Sequence, residues 1–140
     1  MSDKSQGTLL IVDDTPTNLK VLADYLVEAG FEILVATDGE GAIERLKHIQ
    51  PDLILLDVMM PGMDGFETCQ QLKKNPDTRD IPVVFMTALT ETDDKVKGFE
   101  AGAVDYVTKP IHQGEVLARV NTQITLRKLQ KNLEAQVAAR

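Results

Sequence analysis

Polar side chains able to bind or move charge follow directly on short apolar runs. Asp13 and Asp14 come after residues 8–12, Asp57 after 53–56, Thr87 after 83–86 and Lys109 shortly after 104–107. Singly, each is an ordinary turn former. As a set they say more. Brought together, the carboxylates of Asp13, Asp14 and Asp57 repel one another unless a cation holds them. Oxygen donors without His or Cys nearby select a hard divalent ion, Mg²⁺ foremost. Lys109 adds an ammonium and Thr87 a hydroxyl donor for an incoming phosphoryl group, which a carboxylate can attack. Neither GxxxxGK[ST] nor GxGxxG occurs, so a nucleotide has no phosphate cradle here.

Two alternating periods supply the elements that must position these groups. The strand-length runs are residues 8–12, 32–36, 53–56, 83–86 and 104–107, and three of them are apolar on both phases, as in parallel strands covered on both faces. Amphipathic stretches lie between them. The first carries Leu19, Leu22 and Leu26, opened by Thr15 as cap with Pro16 in the first turn and closed by Gly30. The second carries Ala42, Ile43, Leu46 and Ile49 up to Pro51, and the third Phe66, Cys69 and Leu72 up to Asn75 and Pro76. A fourth begins near Thr90, with Asp93 completing a capping box, and runs through Val96 and Phe99 to Gly102. The last starts after Pro110 and reaches toward Arg140. The pattern is (βα)₅, an α/β doubly wound five-stranded parallel sheet with right-handed crossovers. In such a sheet ligands bind outside the carboxyl ends of the strands, where the polar set collects.

The last helix is too long for the body. Val116, Val120 and Ile124 dock it, and a second stripe of Leu126, Leu129, Leu133 and Val137, out of phase with the first, forms a seam for another helix. That seam predicts a weak homodimer.

The chain has 140 residues, a net charge of −7 and 43% hydrophobic residues, which makes one folded domain with its own core. The negative charge argues against nucleic-acid binding by this segment. No run of about 18 apolar residues spans a membrane, and the start lacks the basic segment and cleavage site of a signal peptide. A single cysteine suits a reducing cytoplasm. Cys69 reads as a buried structural thiol, and His48 and His112 as surface residues of helices.

Asp13-Asp14, Asp57 followed by Met59-Met60-Pro61-Gly62-Met63-Asp64-Gly65, Thr87-Ala88 and Lys109-Pro110 closely resemble the receiver domain of two-component response regulators. The landmarks occur in order and at the family's intervals, from about Leu9 to Ile124. The resemblance implies a flavodoxin-like strand order 2-1-3-4-5, with residues 1–125 as the receiver and 126–140 extending its last helix toward a coiled coil or an attached effector domain. It implies that Asp57 accepts a phosphoryl group from a phosphohistidine on a sensor histidine kinase or histidine phosphotransfer protein. The domain would catalyse its own phosphorylation and dephosphorylation, and its change of conformation would control an output. Asp14 and Asp57 would bind Mg²⁺ with the Met59 carbonyl, and Asp13 would hold a bound water. Thr87 and Lys109 would contact phosphoryl oxygens, Tyr106 would be the aromatic switch, and the Lys109–Pro110 bond would be cis.

The rivals are a Mg²⁺-dependent phosphatase and a phosphorylation-independent adaptor. The first commonly needs a second carboxylate at the position Met59 holds, and the second is expected where acceptor or lysine is lost. Lys109, if partly desolvated, predicts that its removal leaves the metal-free fold no less stable.

Overall fold

The computed structural model describes residues 6–88, 97 and 99–138, with side chains through residue 134. Its strands are β1 (Thr8–Val12), β2 (Glu32–Ala36), β3 (Leu53–Asp57), β4 (Val83–Thr87) and β5 (Asp105–Thr108). They form one parallel sheet in the order β2-β1-β3-β4-β5, as expected. The helices are α1 (Pro16–Glu28), α2 (Gly39–Leu46), α3 (Gly65–Lys74) and α4 (Gln113–Ala138). Lys97, Phe99 and Glu100 are also helical, whereas Thr90, Asp93 and Val96 of the expected fourth helix lie outside the described residues.

Alternation along the strands splits the core in two. Leu10, Val12, Ile54, Leu56, Val83 and Phe85 face one way, against Ala42 and Leu46 of α2 and Phe66, Cys69 and Leu72 of α3. Leu9, Ile11, Leu53, Leu55, Val84 and Met86 face the other, against Leu19, Leu22 and Leu26 of α1 and Val116, Val120 and Ile124 of α4. β3 and β4 are buried at every position, which is why their sequences are continuously apolar. No helix among the described residues is long and apolar enough to cross a membrane.

Several local expectations shift. Thr15 stands at the N-cap of α1 but its side chain makes no cap bond, so Pro16 alone marks that start. α2 stops at Leu46, because Lys47 and His48 donate to carbonyls three residues back and tighten the chain into a turn. Ile49 is thereby outside the helix. β5 begins one residue late, at Asp105. His48 and His112 are exposed as expected, but in connections and not in helices.

Gly65 is where the fold comes closest to the polar rim. A Cβ there would meet the Asp57 carbonyl oxygen and lie 2.7 Å from Val58 Cα, both backbone atoms that cannot swing aside. The N-terminus of α3 thus rests directly on the end of β3, fixed by a capping box between Asp64 and Glu67 and by Gly65 N–H donating to Val58 O at 2.9 Å. Gly65→Ala is expected to destabilise the protein by about 3 kcal/mol, the upper end of ordinary overpacking. Urea denaturation checks this, and an unchanged midpoint would show that the approach is not tight.

Candidate functional site

Each polar group of the rim is placed by the end of a strand. β1 gains one ladder bond past Val12, Asp13 N–H to Ala36 O at 3.2 Å, and then turns. The Asp13 carboxylate accepts from Thr15 N–H at 2.9 Å, closing a turn that aims it inward. Asp13 is buried and Asp14 exposed. Asp57 is the last residue of β3 and is 1% exposed. Its Oδ1 accepts from Met59 N–H at 3.3 Å. Met59 itself points to solvent while Met60 is buried, so Met59 serves the site through its backbone.

Thr87 ends β4 and is buried. Lys109 continues the β4–β5 ladder, its N–H donating to Thr87 O at 2.8 Å, and the Lys109–Pro110 peptide is cis. The Lys109 ammonium lies 3.1 Å from Asp57 Oδ1 and 3.7 Å from Asp13 Oδ2. Tyr106 lies on β5 opposite Phe85 and stacks edge-on against Phe99 with ring centroids 5.9 Å apart.

One carboxylate oxygen from each of Asp13, Asp14 and Asp57 falls within 4.8 Å of the others. Burial pushes the Asp57 carboxyl above its ordinary value of 3.8. The Lys109 hydrogen bond and charge oppose that rise, the Asp13 carboxylate adds to it, and Met59 N–H opposes it weakly. Burial outweighs the lysine in direct contact, and three carboxylates face one ammonium. All-oxygen donors with surplus negative charge fit a hard divalent cation.

The seven residues singled out from the sequence fall into two groups. Asp13, Asp14, Asp57, Met59 and Lys109 come together at the carboxyl end of the sheet, with Thr87 joined to Lys109 through the backbone. Tyr106 stands one strand over. Two donors had no signal of their own: the amides of Thr15 and Met59 are backbone groups, findable only because each lies two residues beyond an aspartate. Gly65 stands at the end of the motif that follows Asp57, but its contact with Asp57 is tertiary.

The family model described as the response regulator receiver domain matches residues 9–121. The chain is similar to the response regulator PleD of Caulobacter vibrioides, with 46% identity over 114 residues, 81% of this chain but 25% of PleD's length. Among solved structures, the receiver domain of Francisella response regulator 1452 is 31% identical with a TM-score of 0.80, over 86% of this chain and 98% of that one. The receiver domain of the Pseudomonas aeruginosa sensor histidine kinase PA1611, solved with a magnesium ion coordinated in its active site cleft, is 26% identical. Its TM-score is 0.79, over 85% of this chain and 98% of that one.

Proposed function

We infer, because this chain belongs to the response regulator receiver domain family, that Asp57 is the residue at which it takes up a phosphoryl group in two-component signalling. The observation that carries the assignment is a carboxylate 1% exposed at a strand end, 3.1 Å from the Lys109 ammonium and beside two further aspartates. The donor is a phosphohistidine on a sensor histidine kinase or a histidine phosphotransfer protein. The output passes to a partner or to an attached effector domain, and the protein works in the cytoplasm.

Lys109 and Met59 N–H anchor Asp57 Oδ1, which fixes the plane of the carboxylate and makes Oδ2 the attacking atom. Oδ2 attacks phosphorus in line with the P–N bond of the donor. A P–O bond forms as the P–N bond breaks, and the imidazole nitrogen keeps the electron pair and takes a proton from solvent. Lys109 then transfers its contact from the carboxylate to a phosphoryl oxygen, and the Thr87 hydroxyl donates to another. Asp14, Asp57 and the Met59 carbonyl would hold Mg²⁺, with Asp13 at the edge of the site. When bound, the ion neutralises charge on the carboxylates and the phosphoryl oxygens.

Thr87 follows Phe85 by two residues on β4, and Phe85 pairs with Tyr106, so Thr87 and Tyr106 share one face of the sheet. A shift of Thr87 toward the phosphoryl group therefore opens space beside Tyr106, which supports a switch role for that ring.

Acetyl phosphate as a small donor tests the reading. With millimolar Mg²⁺ the intact mass of the wild type should rise by one phosphoryl unit, and a chelator should reduce the rise to background. Labelling of equal rate with and without chelator would discard the metal assignment, and no labelling from either acetyl phosphate or a phosphohistidine protein would discard the acceptor role.

A further inference from the structure

A second cluster of charge lies at the edge of the sheet opposite Asp57, where β4 and β5 begin. A groove of about 610 Å³ there is lined by the cations Lys73, Arg79 and Arg127 and by one carboxylate, Asp80. The local balance is positive by two, in a chain whose net charge is −7. Carboxylates are in surplus overall, yet among the described residues none stands within 4.0 Å of any of these three cations.

Two of the cations are fixed by backbone. The Lys73 ammonium donates to the carbonyls of Arg79 at 2.9 Å and Ile81 at 2.7 Å, and Arg127 Nη1 donates to the Asp80 carbonyl at 3.2 Å. Neutral carbonyls orient these charges without cancelling them. Gly102, at φ +111°, makes room for the lysine, since a Cβ there would stand 2.6 Å from Lys73 Cγ. Burial pushes the Lys73 ammonium below its ordinary value, with Asp80 opposing the fall and the Arg127 charge adding to it. Arg127 Nε is enclosed and has no acceptor among the described residues. One edge of its guanidinium therefore lacks the oxygen partner that such an edge ordinarily finds.

Charge and shape together select a ligand. Two fixed cations and a third on an exposed side chain suit a compact dianion, and a phosphate monoester carries close to two charges at neutral pH. A bare phosphate would leave most of the groove empty. Part of the remaining wall is apolar, formed by Pro82, Val104 and Leu126, the last two 43% and 48% exposed. Gln123 and Gln130 lie four residues before and three after Arg127, on the same face of α4, and add amides along one side. We propose that the groove between Lys73, Arg79 and Arg127 binds the phosphate monoester of a small organic molecule, whose apolar part lies against Pro82, Val104 and Leu126. The site is separate from Asp57, at the other end of the strands, and independent of phosphoryl acceptance there.

Phenyl phosphate is a suitable probe, added to millimolar concentration at constant ionic strength, in chelator without Mg²⁺, while amide shifts of the 140-residue chain are followed. Saturable shifts should appear at residues 79–82, 102–104 and 123–130, with none at Asp13 or Asp57. Phenol and inorganic phosphate should each bind more weakly than the ester. The double variant Arg79→Gln, Arg127→Gln should lose at least about tenfold in affinity, while acetyl phosphate still labels Asp57 at the wild-type rate. If that variant does not fold, Arg79→Gln alone, at an exposed side chain, should weaken binding in the same direction. Absence of saturable shifts in the wild type overturns the proposal, as does a folded variant that titrates like the wild type. Shifts confined to the rim around Asp57 would overturn it too, and inorganic phosphate binding as tightly as the ester would remove the role of the apolar wall.

Discussion

Asp57→Asn takes up no phosphoryl group: with acetyl phosphate and Mg²⁺ its intact mass stays at the unmodified value. The substitution keeps an oxygen for Lys109 and Met59 N–H to bind, so geometry is preserved while the nucleophilic, charged oxygen is lost. The same variant should be more stable than the wild type at pH 7 in chelator. Because the Asp57 pKa is raised on folding, the wild type has its full stability only below the ordinary value of 3.8 and loses part of it as pH rises through the folded value. Urea titrations at pH 7 and below pH 4 should show the variant's advantage at the first and its disappearance at the second. Labelling of the Asn variant at the wild-type rate would remove Asp57 from the mechanism.

Lys109→Ala should lower stability by about 2–3 kcal/mol at pH 7 without divalent ions, less than the full cost of breaking a buried pair because the lysine is 26% exposed. From sequence the metal-free fold is expected to be no less stable without this lysine; its contacts with two buried carboxylates favour the opposite outcome, and the measurement decides between them. Among the described residues no other cation lies within 4.0 Å of Asp13 or Asp57, so both buried carboxylates lose their countercharge together. The Asp57 carboxyl then titrates still higher, and the deficit should shrink as pH falls and Asp57 takes up a proton. Millimolar Mg²⁺ should also recover part of it, by binding the native state preferentially. On phosphorylation, amide shifts at Thr87 and Tyr106 should be smaller than in the wild type. A variant that melts with the wild type in chelator would show that Lys109 does not carry the charge balance of the site.

The sheet was legible because burial on both faces writes itself into residues 53–56 and 83–86 as unbroken apolar runs. The first polar residue after each run then has to lie at the rim. Asp57 and Thr87 could be placed on the page for that reason. The sequence left open which of Asp13 and Asp14 turns inward, because both follow the strand and only the amide of Thr15 settles it. Likewise, periodicity separates the stripe of Leu126, Leu129 and Leu133 from that of Val116, Val120 and Ile124. It does not aim either stripe. The aim follows from which stripe packs on the sheet: Val116, Val120 and Ile124 do, and because α4 is one continuous helix the leucines are carried to its other side. Gly65 is similar: a glycine at a helix start is ordinary, and its necessity here comes from the carbonyl of another element.

Cys69 has a use unrelated to signalling. It is the chain's one thiol, fully enclosed beneath α3, with its Sγ 3.3 Å from the Ala101 carbonyl and its pKa pushed up to about 11 by burial. Only about one molecule in ten thousand would carry the reactive thiolate at neutral pH even with reagent at hand, and in the closed protein no reagent reaches it. Alkylation must wait for α3 to lift from the sheet. The rate of that reaction therefore counts opening events of the element that rests on Asp57, and the protein carries its own clock for how firmly the acceptor strand is covered.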